Sequence, residues 1–180
     1  MKLLIVYGTT EGQTRKIARF IESALEDCGH HVTIADASDD PPPASEFDAV
    51  LIGASIHIHS YQPAVAHYVR QNVQVLNQKP SGFFSVCLAV ASDLEEEHRE
   101  AEKIASDFLI KVSWSPKMVG HFAGALKYTQ YDFFKRLVMK MIAKREGRST
   151  DTSQDYEYTN WDAVKAFAMD FAGKLEVVKT

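Results

Sequence analysis

Hydroxyl side chains and a glycine crowd the segment between the first predicted strand and the first predicted helix. The segment reads Gly8-Thr9-Thr10-Glu11-Gly12-Gln13-Thr14 and has no lysine or arginine before Arg15. Threonine hydroxyls and the backbone N–H groups of a helix N-terminus favour a phosphate, and Gly12 permits a tight turn beside a ligand. The segment lacks the Walker and Gly-x-Gly-x-x-Gly patterns. It predicts binding of a single phosphate, although an ordinary strand-to-helix turn with threonine caps has the same composition.

Two more loops are expected at the same edge of the sheet. They span residues 53–61 and 86–91, after the third and fourth predicted strands. Small residues such as Ala54 and Ser55 let the backbone approach a flat ring, and backbone N–H and C=O groups can bond the polar edge of that ring. Ligands of open α/β sheets bind at the carboxyl ends of the strands. The three loops together therefore predict a site for a phosphorylated planar cofactor.

Apolar runs and helical stripes alternate along the chain that must position these loops. The predicted strands span residues 2–7, 32–35, 49–54, 82–90 and 118–126. Gly29 is placed to end the first helix and Pro63 to open the second. Ser92 with Glu95 resembles a capping box for the third helix, and the last helix starts near Thr159. Strands buried on both faces and alternating with helices predict an α/β fold, a doubly wound parallel sheet between two helical layers.

The composition of the chain limits the number of domains, the cellular location and the kinds of partner that are expected. With 180 residues, 46% hydrophobic and 24% charged, the chain is expected to form one domain over residues 1–180. No apolar run reaches the roughly 18 residues of a membrane-spanning helix, and the N-terminus has no signal-peptide pattern. A cytoplasmic location is therefore expected. The net charge of −4 argues against nucleic acid as a partner.

The phosphate segment and its place in this order of elements resemble the flavodoxin-like family. The string Thr9-Thr10-Glu11-Gly12-Gln13-Thr14 matches the phosphate-binding pattern of that family. The resemblance implies a five-stranded parallel sheet of order 2-1-3-4-5 and FMN as cofactor, with the phosphate on residues 9–14 and the ring against the other two loops. The cofactor-binding residues that it implies are Thr9, Thr10, Glu11, Gly12, Gln13, Thr14, Ala54, Ser55, Ile56, His57, Val86, Cys87, Leu88 and Ala89.

Several short strings carry a narrower resemblance, to the short flavodoxin-like protoporphyrinogen oxidases of bacteria, which use quinones. The strings span residues 11–15, 53–56, 84–86, 123–128, 150–152 and 158–161. Those enzymes also have a long insert after the last strand. The chain departs from them at His57-Ile58-His59-Ser60, where that family has an arginine and a glycine.

The segment at 127–158, after the fifth predicted strand, is too long for an ordinary loop. Apolar residues with helical spacing form one stripe: Phe134, Leu137, Val138, Met141 and Ile142. Residues 127–148 hold seven basic and two acidic residues, so they carry +5 and, from the total of −4, leave −9 to the rest of the chain. A basic amphipathic helix predicts contact with an anionic membrane surface or an acidic ligand, although a helix packed on the domain gives the same pattern. The residues expected to contact substrate or membrane are Tyr128, Phe134, Lys135, Arg136 and Lys140.

Isolated histidines and cysteines give weaker signals. His57 and His59 alternate, but two ligands without a third do not predict a metal site, and a polar loop near the cofactor is expected instead. His30 is expected at the surface, and Tyr61 either on the ring or in the core. Cys28 and Cys87 have neither metal nor disulfide spacing and are expected to be buried thiols.

No nucleophile–base–acid set is visible, as expected for an enzyme whose cofactor does the chemistry. The narrower resemblance implies oxidation of protoporphyrinogen IX to protoporphyrin IX in haem synthesis, with FMN as cofactor and a membrane quinone as acceptor. It also implies peripheral attachment to the cytoplasmic membrane. Two alternatives remain open: a flavodoxin-type electron carrier, and a quinone reductase that uses NAD(P)H.

Overall fold

A computed structural model describes residues 1–126 and 156–177 of the chain. Five strands form one all-parallel sheet in the order β2-β1-β3-β4-β5. The strands are β1 (Lys2–Gly8), β2 (His31–Asp36), β3 (Ala49–Ser55), β4 (Ser81–Val86) and β5 (Met118–Phe122). This architecture confirms both the predicted fold class and the predicted strand order.

Within the described residues, four helices cover the two faces of the sheet. They are α1 (Gln13–Asp27), α2 (Pro63–Gln78), α3 (Glu95–Lys111) and α4 (Trp161–Val177). Helices α1 and α4 pack on one face, where Ile21 and Phe171 share a core cluster. Helices α2 and α3 pack on the other, where Val69 and Ala105 share a second cluster. The sheet is thus enclosed by two helical layers, and only its strand ends are left for a ligand.

The central strand β1 shows why a nearly continuous apolar run forms a buried parallel strand. Successive side chains point to opposite faces, so Leu3, Ile5 and Tyr7 enter one core cluster, whereas Leu4 and Val6 enter the other. Both faces of the strand are buried in apolar cores. A pattern of alternating apolar and polar residues would have placed polar side chains in one of these cores.

The helix boundaries follow local chemistry. Pro63 is the first residue of α2, as predicted, where its missing N–H costs no hydrogen bond. Gly29, with φ of +81°, follows the last turn of α1 and ends that helix, also as predicted. Helix α4 is capped by Asn160, whose Oδ1 accepts a hydrogen bond of 3.0 Å from the Ala163 N–H. The helix was predicted to start near Thr159, so the predicted cap lies one residue before the observed cap.

Two predicted strands are too long and one predicted cap is wrong. Strand β4 ends at Val86 because residues 88–91 turn into a short 3-10 helix. Strand β5 ends at Phe122, and residues 125–126 pair instead with residues 156–157 as a small antiparallel sheet, β6 (Ala125–Leu126) and β7 (Tyr156–Glu157). Helix α3 begins at Glu95 with Leu94 in the cap position. Ser92 Oγ accepts from the Leu94 N–H at 3.3 Å, so no Ser92–Glu95 capping box forms.

Two surface assignments made from sequence are wrong. Cys28 is exposed, not buried: α1 ends at Asp27, so the apolar stripe of that helix stops at Leu25 and Cys28 lies beyond it. His30 is buried rather than solvated, because the chain turns back at Gly29 and the His30 N–H bonds the Leu25 carbonyl at 3.2 Å.

The predicted insert lies mostly outside the described residues. So do all five residues expected to contact substrate or membrane, namely Tyr128, Phe134, Lys135, Arg136 and Lys140. Among the helices that the structure describes, none combines the length and apolarity needed to cross a bilayer. The described histidines, cysteines and carboxylates include no group of three or more arranged to hold a metal ion.

Candidate cofactor site

A cavity of about 680 Å³ opens at the carboxyl ends of β1, β3 and β4, within the range of ligand pockets. Its lining residues are Thr9, Thr10, Glu11, Gln13, Thr14, Ser55, Ile56, His57, Ile58, His59, Val86, Cys87, Leu88, Ala89, Glu97, Glu100, Ala101, Ile104, Gly124 and Ala125. The structure brings twelve of the fourteen predicted cofactor-binding residues to this cavity. The exceptions are Gly12 and Ala54.

Gly12 and Ala54 support the cavity from behind. Gly12 caps α1 with φ of +90°, a backbone conformation that residues with a side chain rarely adopt. Its N–H donates to Thr9 Oγ1 at 2.9 Å, and its carbonyl accepts from the Lys16 N–H at 3.1 Å. Ala54 is fully buried in β3 and belongs to the core shared with α2. Both residues shape the site through the backbone.

The phosphate segment places one hydroxyl in an unusual position. Thr14 is completely buried, and its Oγ1 has no hydrogen-bond partner among the described residues. Thr14 lines the cavity in the first turn of α1, where backbone N–H groups are free of helical partners and the first turn has no acidic residue. A buried hydroxyl without a partner is destabilising. A phosphate oxygen in the cavity would satisfy it, so this end of the cavity fits the phosphate of FMN.

The Gln13 side chain has a second, structural role that its position in the sequence does not reveal. Its side chain is buried, and Nε2 donates to Thr159 Oγ1 at 2.8 Å. Thr159 Oγ1 in turn donates to the Ala123 carbonyl at 2.8 Å. These two bonds join the phosphate segment to the chain on either side of the insert.

Gln62 organises the site although it was not predicted. Its Nε2 donates to Ser55 Oγ at 2.7 Å and to Thr10 Oγ1 at 3.2 Å. The side chain thus links the phosphate segment to the loop after β3. The residue precedes Pro63 at the start of α2, and nothing in its sequence context marks it as polar support for a site.

The loops after β3, β4 and β5 are joined by backbone hydrogen bonds. The Ile56 N–H donates to the Val86 carbonyl at 2.9 Å, and the Cys87 N–H donates to the Phe122 carbonyl at 3.0 Å. Residues 55–57 and 86–89 line the cavity together. Their spacing is therefore fixed by the sheet, which favours a slot for a planar ring between them.

Tyr61 belongs to the core and not to the ring site. Its hydroxyl donates to Ser85 Oγ at 2.7 Å, and its ring packs against Phe83 and Phe108. Burial raises the pKa of the Tyr61 hydroxyl far above its usual value. Of the two alternatives left open by the sequence, the structure supports the core tyrosine.

Cys87 lines the cavity as a protonated thiol. Burial raises the pKa of Cys87 above its ordinary value of 9.0, and the charges of Glu100 and Glu97 raise it further. A hydrogen bond from the Ala89 N–H opposes this shift without cancelling it. The thiol therefore adds neutral, apolar surface at neutral pH and is a poor nucleophile.

Helix α3 supplies a wall of the cavity that sequence analysis did not predict. Glu97, Glu100, Ala101 and Ile104 share one face of the helix and line the cavity. His59 Nδ1 lies 3.1 Å from Glu100 Oε1, which links this wall to the loop after β3. The periodicity of the sequence identifies the apolar face of α3. The order of the strands in the sheet, which periodicity does not give, places the first turns of α3 beside the site.

Comparison with known sequences identifies relatives over almost the whole chain. The model of the flavodoxin domain family matches residues 4–153. Protoporphyrinogen IX dehydrogenase [quinone] of Escherichia coli K12 is 36% identical over 173 residues, 96% of this chain and 95% of that protein. A protein of the same name from Leishmania major is 38% identical over 173 residues, 95% of this chain and 74% of that protein.

Comparison with solved structures identifies the same fold. Oxidised flavodoxin 2 from Bacillus cereus superposes with a TM-score of 0.57 at 18% identity, covering 97% of this chain and 99% of that one. A flavodoxin from the domain Archaea superposes with a TM-score of 0.56 at 15% identity, covering 98% and 99%. At these identities the likeness establishes the fold alone. Because the family model spans most of the sequence and the relatives align along nearly all of it, the chain belongs to the flavodoxin domain family.

Proposed function

We propose that this protein is an FMN-dependent protoporphyrinogen IX dehydrogenase that uses a quinone as electron acceptor. The observation that carries the proposal is the match, over 95–96% of the chain, to proteins of that name from two distant organisms. The matched span includes the insert. The short strings that resemble the bacterial protoporphyrinogen oxidases support the same activity.

The chemistry that FMN would supply when bound is two-electron oxidation of the substrate followed by electron transfer to the quinone, repeated with further quinone until the macrocycle is aromatic. The protein holds and orients the cofactor. Thr14 and the N-terminal turn of α1 would hold the phosphate, and the loops 55–57 and 86–89, which line the cavity, would enclose the ring. Leu88 and Ile104 contribute apolar surface to the cavity, which excludes water from the reacting centre.

Membrane attachment through residues 127–148 is the finer part of the proposal. It is supported by the +5 charge of that segment, against −9 for the rest of the chain. Each lysine or arginine near an anionic leaflet contributes about 1 kcal/mol, so several engaged together give reversible attachment. A quinone dissolves in the bilayer, so an enzyme that reduces it gains from sitting at the membrane surface. Tyr128, Phe134, Lys135, Arg136 and Lys140 are proposed to contact membrane or substrate.

The activity is tested by porphyrin fluorescence. The purified, FMN-loaded protein is mixed anaerobically with protoporphyrinogen IX, with and without a soluble quinone. We expect porphyrin fluorescence to grow only when the quinone is present. FMN-loaded protein that forms no porphyrin under these conditions would contradict the proposed activity.

Membrane attachment is tested separately by sedimentation with vesicles. A variant with Lys135, Arg136 and Lys140 changed to Gln is compared with wild type on vesicles rich in anionic lipid. The matched control changes Lys103, Lys111 and Lys174, exposed lysines on α3 and α4. We expect wild type and control to sediment with the vesicles and the first variant to stay largely in solution. Equal sedimentation of both variants would exclude a specific role for the insert.

One observation favours a second candidate, a flavodoxin-type electron carrier. The cavity wall from α3 presents Glu97 and Glu100, and carriers commonly dock basic partners through acidic surface around the flavin. A carrier would transfer electrons to a protein partner and form no porphyrin, so the fluorescence assay separates the two candidates.

A further inference from the structure

The loop after β3 ends in a tight turn whose central residues have unusual backbone angles. The His57 N–H donates to the Ser60 carbonyl at 2.8 Å, and the Ser60 N–H donates to the His57 carbonyl at 3.1 Å. Ile58 has φ of +48° and His59 has φ of +59°. Positive φ at both central positions is typical of a type I′ turn, which favours Asn, Asp or Gly.

Ile58 is a poor residue for this turn in two respects. Four non-glycine residues of the described chain have positive φ, and Ile58 is the β-branched one among Asp40, Ile58, His59 and Ser113. Its side chain is also 69% exposed. Backbone conformation and solvent therefore both disfavour isoleucine here, and the described core gains little from it. Strained residues of this kind cluster at sites that contact ligands.

The turn is held at the mouth of the cofactor cavity. Ile58 and His59 line that cavity beside His57. His59 Nδ1 lies 3.1 Å from Glu100 Oε1, so the tip of the turn contacts α3. The exposed apolar side chain is thus presented in a fixed position next to the place where the cofactor ring is expected.

We infer that Ile58 is a substrate-binding residue that packs against an apolar face of the porphyrinogen macrocycle. This inference rests on the proposed function and names a contact that the proposed function does not require. The macrocycle is the favoured occupant because Ile58 is 69% exposed at the mouth of the cavity, outside the slot expected to hold the cofactor ring, and a tetrapyrrole is the larger of the two proposed substrates.

The test is an Ile58→Asn variant, because asparagine suits the turn but removes the apolar contact. Steady-state rates are measured with protoporphyrinogen varied at saturating soluble quinone, and with quinone varied at saturating protoporphyrinogen. We expect the KM for protoporphyrinogen to rise about tenfold, the effect of losing one well-buried apolar side chain from a complex. The KM for quinone, the FMN affinity and kcat are expected to stay within about twofold. The melting temperature is expected to stay equal or rise, because the turn is relieved of strain.

Two variants serve as controls. Ile58→Leu keeps an apolar side chain and is expected to leave the KM for protoporphyrinogen within about twofold of wild type. Ile110→Asn changes an isoleucine of α3 that is 73% exposed and lines a different groove, beside Trp114 and Val119. It is expected to change no kinetic constant. An unchanged KM for protoporphyrinogen in Ile58→Asn, or an effect on quinone or FMN instead, would overturn the inference.

Binding of protoporphyrin IX to the FMN-loaded protein, followed by fluorescence anisotropy, separates the two proposals. Turnover by wild type with no effect of Ile58→Asn on KM or binding would remove the inference and leave the proposed function. If wild type bound porphyrin without turnover, and Ile58→Asn bound it more weakly, the proposed function would be removed and the contact would remain. Absence of both turnover and binding would remove both.

Discussion

The side chain of Thr14 is one of the places where the described fold leaves a hydrogen-bonding requirement unmet. Its hydroxyl is inaccessible to solvent, and Oγ1 has no partner within residues 1–126 and 156–177. Burial of an unsatisfied hydroxyl costs about 1–3 kcal/mol. A phosphate oxygen at the N-terminus of α1 would remove that penalty, so the structure links the stability of this turn to ligand binding.

We expect Thr14→Val to weaken FMN binding by about 10–100-fold, because hydrogen bonds to charged groups contribute about 1.5–3 kcal/mol. The unliganded protein should be as stable as wild type or slightly more so, since the unmet hydroxyl is gone. Fluorescence titration of FMN measures the affinity. Thr14→Ser should restore most of it, and Thr33→Val, at an exposed position of β2, should have no effect. Wild-type affinity in Thr14→Val would argue that the phosphate lies elsewhere.

The two cysteines are expected to differ in reactivity. Cys28 is exposed, whereas Cys87 lines the cavity and has a pKa raised by burial and by the charges of Glu100 and Glu97. Because only the thiolate is alkylated, Cys87 should react slowly with iodoacetamide at pH 7.5. Its rate should keep rising as pH passes 9.0, the ordinary thiol pKa.

Mass spectrometry of the labelled peptides measures both rates in one sample. Bound FMN should protect Cys87 further and leave Cys28 unchanged, which makes Cys28 the internal control. Fast labelling of Cys87 at pH 7.5 would show that the cavity does not bury its thiol. Labelling of Cys87 that FMN does not slow would place the cofactor away from the loop after β4.

Strands and helices were predictable from the sequence where one local rule decides the outcome. The apolar run of β1 and the positions of Gly29 and Pro63 each predicted an element or its end. The strand ends at Val86 and Phe122 were not predictable, because apolar residues continue past both and only tertiary contacts stop the pairing. The position of residues 9–14 at the cavity was predictable since these residues are consecutive and directly follow β1. The α3 wall at Glu97 and Glu100 was not, because that wall depends on the sheet order.

The contact between β3 and β4 depends on the absence of one side chain. Gly53 lies opposite Phe84 in the parallel register, and a Cβ at Gly53 would overlap the Phe84 ring. Phe84 in turn packs against Phe122 and Phe167, which connects both strands to β5 and α4. The loops that form the cavity follow directly after β3 and β4, so their spacing depends on this contact.

We expect Gly53→Ala to lower the free energy of unfolding by about 1–3 kcal/mol through overpacking. The matched control is Gly173→Ala in α4, where a Cβ would meet nothing within 4 Å. That change should raise stability by about 0.5–1 kcal/mol, because alanine is the better helix former. Urea denaturation measures both free energies. If Gly53→Ala were as stable as wild type, Phe84 would have to move at little cost.

The molecule as a whole separates its charges. Residues 127–148 carry +5 and the rest of the chain −9, while the cavity combines hydroxyl, apolar and carboxylate groups. This distribution gives the protein one basic segment beside an otherwise acidic domain. It is the basis of the proposed attachment to an anionic surface through the insert.

Cofactor binding should stabilise the entire fold, because the cavity draws on loops from β1, β3 and β4 and on α3. A ligand present at about 100 times its Kd adds about 2.7 kcal/mol to the free energy of unfolding. For a domain of this size that corresponds to a rise of about 5–10 °C in Tm. Riboflavin offers the same ring without the phosphate. At equal concentration it should raise the Tm much less, and the difference should shrink in Thr14→Val, which lacks one of the groups proposed to bind the phosphate. Equal shifts for FMN and riboflavin in wild type would mean that the ring alone is bound.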